Sequence, residues 1–257
     1  MLGTWARNRV GDVKADSARQ ARLLDIQAID TRLGQIAHAR AHLPAHAELA
    51  DLEGKARLLS DEHLRSETAL GDVQREVAKA EADVQLVRDR AARDQARLDA
   101  GTGTAKDLQA LQHELASLQR RQADLEDIEL EVMERAEALE HDVAELARGN
   151  AELAERIAAV VATRDAQLAE LAAEEASISA PREGLVAEVG PELAELYEKI
   201  RASTGQGAAL LRHRRCGGCQ LELNSVEIDH IKAAEADEVI RCEECRRILV
   251  RTAESGL

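Results

Sequence analysis

Four cysteines in two close pairs are the residues of this chain best suited to chemistry. Cys216-Gly217-Gly218-Cys219 is followed, after 22 residues, by Cys242-Glu243-Glu244-Cys245. Two C-x2-C pairs at that separation read as a structural zinc site. Zinc takes four thiolates tetrahedrally at about 2.3 Å, and each C-x2-C turn offers two sulfurs to one side of the ion. Gly217 and Gly218 make the first turn easy to form. The expected metal ligands are therefore Cys216, Cys219, Cys242 and Cys245, holding one structural Zn2+. A thioredoxin-like redox pair needs a βαβ setting that the pattern lacks. An iron-sulfur cluster would also accept four thiolates, and the spacing leaves that alternative open. A catalytic zinc needs an open coordination position, which four cysteines close. His213 and His230 stand near the pairs and are read as non-ligands, since the shell is already full.

Around the cysteines lies a basic cluster: Arg212, Arg214 and Arg215 before the first pair, and Arg246, Arg247 and Arg251 after the second. Strand pairing in a ribbon would bring the two groups together. Guanidinium groups suit phosphate, so these six are candidate nucleic-acid-binding residues. A zinc ion held by four thiolates carries a charge of about -2, which nearby arginines would offset. Both readings stand at this point. No aromatic residue is present in the cluster to stack bases, which argues against sequence-specific reading of single strands.

The elements that must position this site are helical. With no Phe, one Trp (Trp5), one Tyr (Tyr197) and 32% charged residues, the composition is that of long helices and coiled coils. Ser17 to Gln20 reads as a capping box. An apolar series follows at Leu23, Ile26, Leu33, Ile36 and Leu43, and Pro44 should break the helix. From Leu49 to Leu98 the seam steps three and four without exception, through Ala56, His63, Ser66, Val77, Val84 and Asp94. That alternation keeps one stripe facing a partner helix. Residues 99–105, with two glycines, mark a turn. Thr104 is the expected N-cap of the next helix, with Asp107 as an imperfect capping-box partner. The second seam runs through Leu108, Leu115, Leu118, Gln122, Leu125, Ile128, Val132 and Leu139 to Leu171.

Two helices of about 80 and 75 residues joined by a short turn should fold back into an antiparallel hairpin roughly 110–120 Å long at 1.5 Å per residue. The alternative is one broken helix that pairs with other copies. The many small and polar seam residues suggest a spacer that bends. After Pro181, Gly190-Pro191 opens a short helix whose apolar face is Leu193, Leu196, Tyr197 and Ile200. Tyr197 is read as a packing residue. Strands are expected at 208–211, 239–240 and 248–250. The fold class is thus mainly α: a long antiparallel coiled-coil hairpin followed by a small C-terminal β zinc ribbon. The expected domains are a flexible leader (1–15), the hairpin (16–180, kinked near Pro44, hinged at 99–105), a connecting helix (181–204) and the ribbon (205–257). With so little apolar material, the ribbon should need zinc to fold.

The net charge of -15 is uneven. The last 57 residues hold nine basic and nine acidic residues, whereas the first 200 hold 25 and 40. Between Glu126 and Glu145 there are nine acidic residues against Arg135 alone, a stretch that should exclude nucleic acid. Near the turn the sign reverses, which makes Arg93, Arg97 and Lys106 a candidate binding tip, or merely a solvated charged face. No stretch reaches the roughly 20 apolar residues of a membrane helix. The N-terminus lacks the apolar region of a secretory signal. A cytoplasmic protein with no membrane partner and no small-molecule substrate is expected.

The segment Cys216 to Arg251, the helix opening Lys106-Asp107-Leu108-Gln109-Ala110-Leu111, Leu125-Glu126-Asp127 and Tyr197-Glu198-Lys199-Ile200-Arg201 together carry a family resemblance. The chain after residue 15 resembles the bacterial C4-type zinc ribbon domain-containing coiled-coil proteins, once catalogued as a domain of unknown function. It looks most like the actinobacterial members. The residue after the last cysteine is often Gly in that family and is Arg246 here. The resemblance implies a nucleic-acid-binding or protein-binding role. The expected function is a non-enzymatic adaptor that contacts RNA or DNA through the ribbon arginines. The alternative is a protein–protein scaffold, or regulatory chaperone, acting through the coiled coil. No nucleophile–base constellation or phosphate loop suggests an enzyme.

Overall fold

The structure, a computed structural model, describes residues 13–257. Five helices come first: α1 (Ser17–Ala41), α2 (Pro44–Asp99), α3 (Ala105–Ser179), α4 (Arg182–Val189) and α5 (Pro191–Thr204). The C-terminal part runs β1 (Ala208–Arg212), β2 (Arg215–Cys216), α6 (Ser225–Ala233), β3 (Ile240–Arg241) and β4 (Ile248–Val250). This is a long antiparallel coiled-coil hairpin followed by a small zinc-ribbon sheet. The chain divides into two compact units, one of residues 44–163 and one of residues up to 43 with 164–257.

The unit of residues 44–163 is the hairpin. Pro44 breaks the helix as its ring requires and serves as the first residue of α2, where its missing N–H costs nothing. The turn at 100–104 uses positive φ at Gly101 (58°) and Gly103 (138°). The Thr104 hydroxyl accepts from the Asp107 amide at 3.3 Å, and Asp107 accepts in return from the Thr104 amide at 3.0 Å. Aspartate therefore completes a capping box. The arms run antiparallel, since contacts retreat along α3 as α2 advances. Leu59 sits against Gly149, Glu76 pairs with Arg135 at 2.7 Å, and Arg88 pairs with Glu126 at 2.6 Å.

Every residue of the α2 seam from Leu49 to Leu98 is at least half-buried, whereas Leu58, Leu64 and Leu86, off the seam, are exposed. Position decides burial here, and residue type does not. The α3 seam corrects one expectation. Ile128 is 47% exposed, and Glu129 occupies the half-buried position. From Leu118, Gln122 and Leu125, strict alternation leads to 129 and 132, so helix geometry overrides the apolar character of Ile128.

The second unit is the base. Here α1 begins one residue earlier than its sequence suggests. Asp16 is the N-cap, accepting from the Arg19 amide at 2.9 Å, and Gln20 turns instead to the ribbon. Of the expected leader, residues 1–12 lie outside the described residues. Residues 13–15 are held on the base: the Ala15 amide donates to the Asp237 carbonyl at 2.9 Å, and Lys14 pairs with Glu235 at 2.5 Å. The segment after Pro181 is two helices, divided at Gly190, whose φ is 86°.

The sheet order is β2-β1-β4-β3, with β1 parallel to β4 and the other pairs antiparallel. Strand alternation gives it two buried faces. Ala208, Ile248 and Val250 pack with Leu23 and Ile26 of α1 and with Leu193, Tyr197 and Ile200 of α5. Ala209, Leu211 and Leu249 pack with Ile228 and Ile231 of α6 and with the cysteines. The helix α6 went unforeseen, although Asn224 and Glu227 form a reciprocal capping box ahead of those two isoleucines.

Polar side chains of α1 lock this base together. The Gln20 amide nitrogen donates to the carbonyls of Ala15, Ala236 and Glu238 at 2.7, 3.3 and 3.3 Å. The Gln27 amide oxygen accepts from the Gly207 amide at 2.8 Å and from the Tyr197 hydroxyl at 3.3 Å. Asp30, with a side chain 3% exposed, accepts from Arg182 at 2.7 Å and from the Tyr197 hydroxyl at 2.8 Å. Arg182 also pairs with Glu198. Burial alone would raise the Asp30 carboxyl. The bonds from Arg182 and Tyr197 and the charges of Arg182 and Arg201 outweigh it and hold the group below its ordinary range. Burial, then the bond to Asp30, pushes the Tyr197 hydroxyl well upward. Tyr197 is a packing residue that also anchors this network.

Candidate metal centre

The two cysteine turns share one backbone design. In each, the residue after the second cysteine is left-handed: Gln220 at φ 65° and Arg246 at φ 66°. In each, that residue's amide donates to the carbonyl of the first cysteine at 2.9 Å. The amide of the first cysteine donates five residues onward, from Cys216 to Leu221 at 2.9 Å and from Cys242 to Arg247 at 3.0 Å. The Gly218 amide also points at the Cys216 sulfur, at 3.4 Å. Such loops turn backbone amides toward the sulfurs and favour thiolate.

The turns bring all four sulfurs within 4.8 Å of one another. Cys216 Sγ lies 3.7 Å from Cys245 Sγ, and Cys219 Sγ lies 3.9 Å from Cys242 Sγ. A tetrahedron with Zn–S bonds of about 2.3 Å has S–S edges of about 3.8 Å, so the four donors fit one zinc ion. His213 and His230 are exposed, and neither joins the cluster. Burial pushes the Cys216 thiol up to about 12 and raises Cys242 as well. Burial acts upward on Cys245 too, but the Arg247 amide, Cys242 and the Arg247 side chain bring it down to about 7. The site is a closed structural zinc centre of the C4 type.

The environments of the two turns differ. A Cβ on Gly217 would lie 2.8 Å from the Leu210 carbonyl oxygen, and one on Gly218 would lie 2.7 Å from Arg247 Cδ. The first turn therefore requires glycine through close packing. Glu243 and Glu244, the matching residues of the second turn, are exposed.

The six ribbon arginines separate into two groups. Arg251 donates to four backbone carbonyls, those of Ala234, Glu235, Ala236 and Glu238, at 2.7–3.2 Å. It shares the loop at 234–238 with Gln20. Arg247 donates to the Thr204 carbonyl at 3.1 Å and lies over Gly218. These two guanidinium groups face inward, although the sequence groups both with the candidate phosphate-binding arginines. Arg212, Arg214, Arg215 and Arg246 are exposed. Arg212 pairs with Glu254 at 3.0 Å, and Arg214 donates to the Gly256 carbonyl at 3.1 Å. Beside the β1–β2 turn is an open cleft of about 630 Å³ lined by Arg212, His213, Arg215, Gln220 and Glu222.

At the hairpin turn, Arg97 lies 3.5 Å from Asp94, and Arg90 pairs with Glu114 at 2.6 Å. Arg93 and Lys106 are exposed and form no ion pair among the described residues. No helix among the described residues is long and apolar enough to cross a membrane.

Comparison with known proteins gives two matches along the chain. Residues 26–205 match the CT398-like coiled coil hairpin domain, and residues 215–249 match the C4-type zinc ribbon domain. An uncharacterized protein of Mycobacterium tuberculosis is 40% identical over 239 residues, which cover 93% of this chain and 98% of that protein. One from Mycobacterium leprae is 30% identical over 216 residues, covering 84% and 93%. A solved structure from Mycobacterium smegmatis superposes with a TM-score of 0.82 at 39% identity, covering 93% of this chain and 100% of that one. The structure of CT398 from Chlamydia trachomatis shares the fold, with a TM-score of 0.65 at 18% identity over 90% and 97% of the two chains.

Proposed function

The chain belongs to the CT398-like coiled coil hairpin family, completed by a C4-type zinc ribbon, and from that membership we propose that it is a non-enzymatic adaptor binding nucleic acid through the ribbon. The observation that carries this reading is the exposed basic edge. Arg212 and Arg215 line an open cleft, and Arg214 stands exposed between them in sequence, in a chain whose net charge is -15. Arg246 adds a fourth exposed guanidinium from the second cysteine turn. Arginines on a rigid turn suit phosphate oxygens, and no aromatic side chain accompanies them. Backbone contact without base specificity follows, on RNA or DNA. The zinc shapes the head and takes no part in chemistry, since four thiolates close its shell. The domain division we adopt assigns binding to residues 205–257 and spacing to the hairpin of residues 16–180. A cytoplasmic location suits four unpaired cysteines.

Fluorescence anisotropy with single-stranded RNA and DNA at 50 and 200 mM salt tests this. The wild-type protein should bind both with a steep salt dependence. The triple variant Arg214→Ala/Arg215→Ala/Arg246→Ala should bind at least 10-fold more weakly with a shallower salt slope. Unchanged affinity in that variant would refute the ribbon as the binding edge. A second reading, a protein scaffold acting through the coil, rests on the exposed and unpaired Arg93 and Lys106 at the turn, beside Arg97. Loss of partner capture on changing Arg93, Arg97 and Lys106 to Ala, with nucleic-acid affinity intact, would favour it.

A further inference from the structure

Arg247 belongs to neither the basic edge nor an ordinary ion pair. It leaves the second cysteine turn two residues after Cys245, yet its stem crosses to the first turn. A Cβ on Gly218 would lie 2.7 Å from its Cδ and 3.2 Å from its Nη1. Only glycine leaves room for that crossing. Its Nη2 donates to the carbonyl of Thr204, the last residue of α5, at 3.1 Å, and its Nε is buried without a hydrogen-bond partner. No carboxylate pairs with it among the described residues.

A half-buried guanidinium whose Nε is fully enclosed and which has no carboxylate partner is costly unless another negative charge lies close by. The nearest candidate is the centre itself, because one zinc ion with four thiolates carries a charge of about -2. The sulfurs sit at the turns that this side chain spans. The carbonyl end of α5 contributes a further partial negative charge. We propose that Arg247 is the counter-ion and clasp of the zinc tetrathiolate, holding the two cysteine turns together against loss of the metal.

The exposed arginines Arg212, Arg214, Arg215 and Arg246 cannot substitute, because their guanidinium groups face solvent, where water and salt screen them. The role is one of positioning and charge balance. Its measurable consequences are the rate of metal loss and the electronic state of the thiolates.

The experiment uses the full chain loaded with one equivalent of zinc and follows transfer of the metal to a chromogenic chelator. Arg247→Met keeps the stem and removes the charge. It should release zinc at least 10-fold faster than wild type. Arg247→Lys keeps a charge at that place and should stay within about 3-fold, while Lys232→Ala, an exposed cation of the same module, should match wild type. In the cobalt-substituted protein, the thiolate-to-metal charge-transfer band of Arg247→Met should move to longer wavelength, because removing a neighbouring positive charge raises the sulfur lone pairs. Release from Arg247→Met at the native rate, or an unmoved band, would show that the side chain only packs. Gly218→Ala pushes the same stem aside with its charge intact and should also hasten release. Native-rate release from that variant would overturn the clasp.

Discussion

The hairpin and the base use the same residue types in different ways. In the hairpin, burial runs in single file. Leu52 and Val84 of α2 are almost fully enclosed, but most seam positions are half-exposed, and alanine, serine, histidine and glutamate take turns with leucine. In the base, Leu23, Ile26, Tyr197, Leu211, Ile248 and Val250 are enclosed on all sides, and polar groups of α1 enter the interior with partners already in place. A hairpin tolerates a poor residue at one step because its neighbours repeat the contact. A base whose core draws on residues near 20, 190 and 250 at once has no such redundancy. The metal, the buried acid and the seam should therefore fail to very different extents.

The largest separation should come from the metal. Elemental analysis should find one zinc per chain. Stripping it, or changing Cys242 to Ser, should abolish amide protection in residues 205–257 and in α1 while leaving residues 59–149 protected. Structural zinc sites contribute on the order of 10 kcal/mol to folding at neutral pH. Hydrogen exchange on metal-free protein measures this. Retained protection in the ribbon would erase the contrast between the two units.

Next in size is the buried acid. Asp30→Ala leaves the Arg182 guanidinium and the Tyr197 hydroxyl without their acceptor, and breaking a buried pair in this way costs about 3–5 kcal/mol. Denaturant unfolding of the base should show the loss. The contribution is also pH-dependent. The folded-state carboxyl is held below its ordinary value, so the contribution is complete above pH of about 4 and is lost as pH falls through the depressed value. The gap between wild type and variant should be constant from pH 8 to 5 and narrow below pH of about 4.

The seam offers a smaller effect in the opposite direction. Glu129→Leu places an apolar side chain at a half-buried step and should raise the Tm of the hairpin by roughly 3 °C. Ile128→Ala, at an exposed position, should leave it unchanged. A reversed order of the two variants would mean that the seam passes through Ile128 after all.

How much of each unit could be read from sequence follows from the same contrast. The hairpin depends on rules that act within a few residues: alternation, the glycine turn, Thr104 with Asp107, and Pro44. Those were legible, and the one lapse, Ile128 for Glu129, came from trusting residue type over spacing. The four sulfurs were equally legible, because C-x2-C fixes its own geometry. The base was not. Nothing near Gln27 announces that it will accept from Gly207, 180 residues away. Asp30 looks like any charged helix residue until Arg182 and Tyr197 arrive. Likewise, Arg247 and Arg251 stand in the same basic run as Arg246, and only the path of the chain turns two of them inward. The capping box at Asn224 was a local signal that went unread.

The smallest effect concerns the two cysteine turns, and it joins stability to function. Gln220 and Arg246 both hold the left-handed conformation that glycine adopts without strain. Arg246→Gly should therefore stabilise the base by about 0.5–1 kcal/mol, after allowance for the greater freedom glycine gives the unfolded chain. The same change removes an exposed guanidinium from the proposed phosphate-binding edge and should weaken nucleic-acid binding. Arg246→Ala loses the charge but keeps the strain. It should weaken binding equally and leave the unfolding midpoint near that of wild type. Measuring midpoint and affinity on both variants separates what the backbone asks of this position from what a ligand would ask. If Arg246→Gly gains stability and binds as well as wild type, the departure from glycine is not explained by phosphate contact, and the second turn drops out of the binding edge.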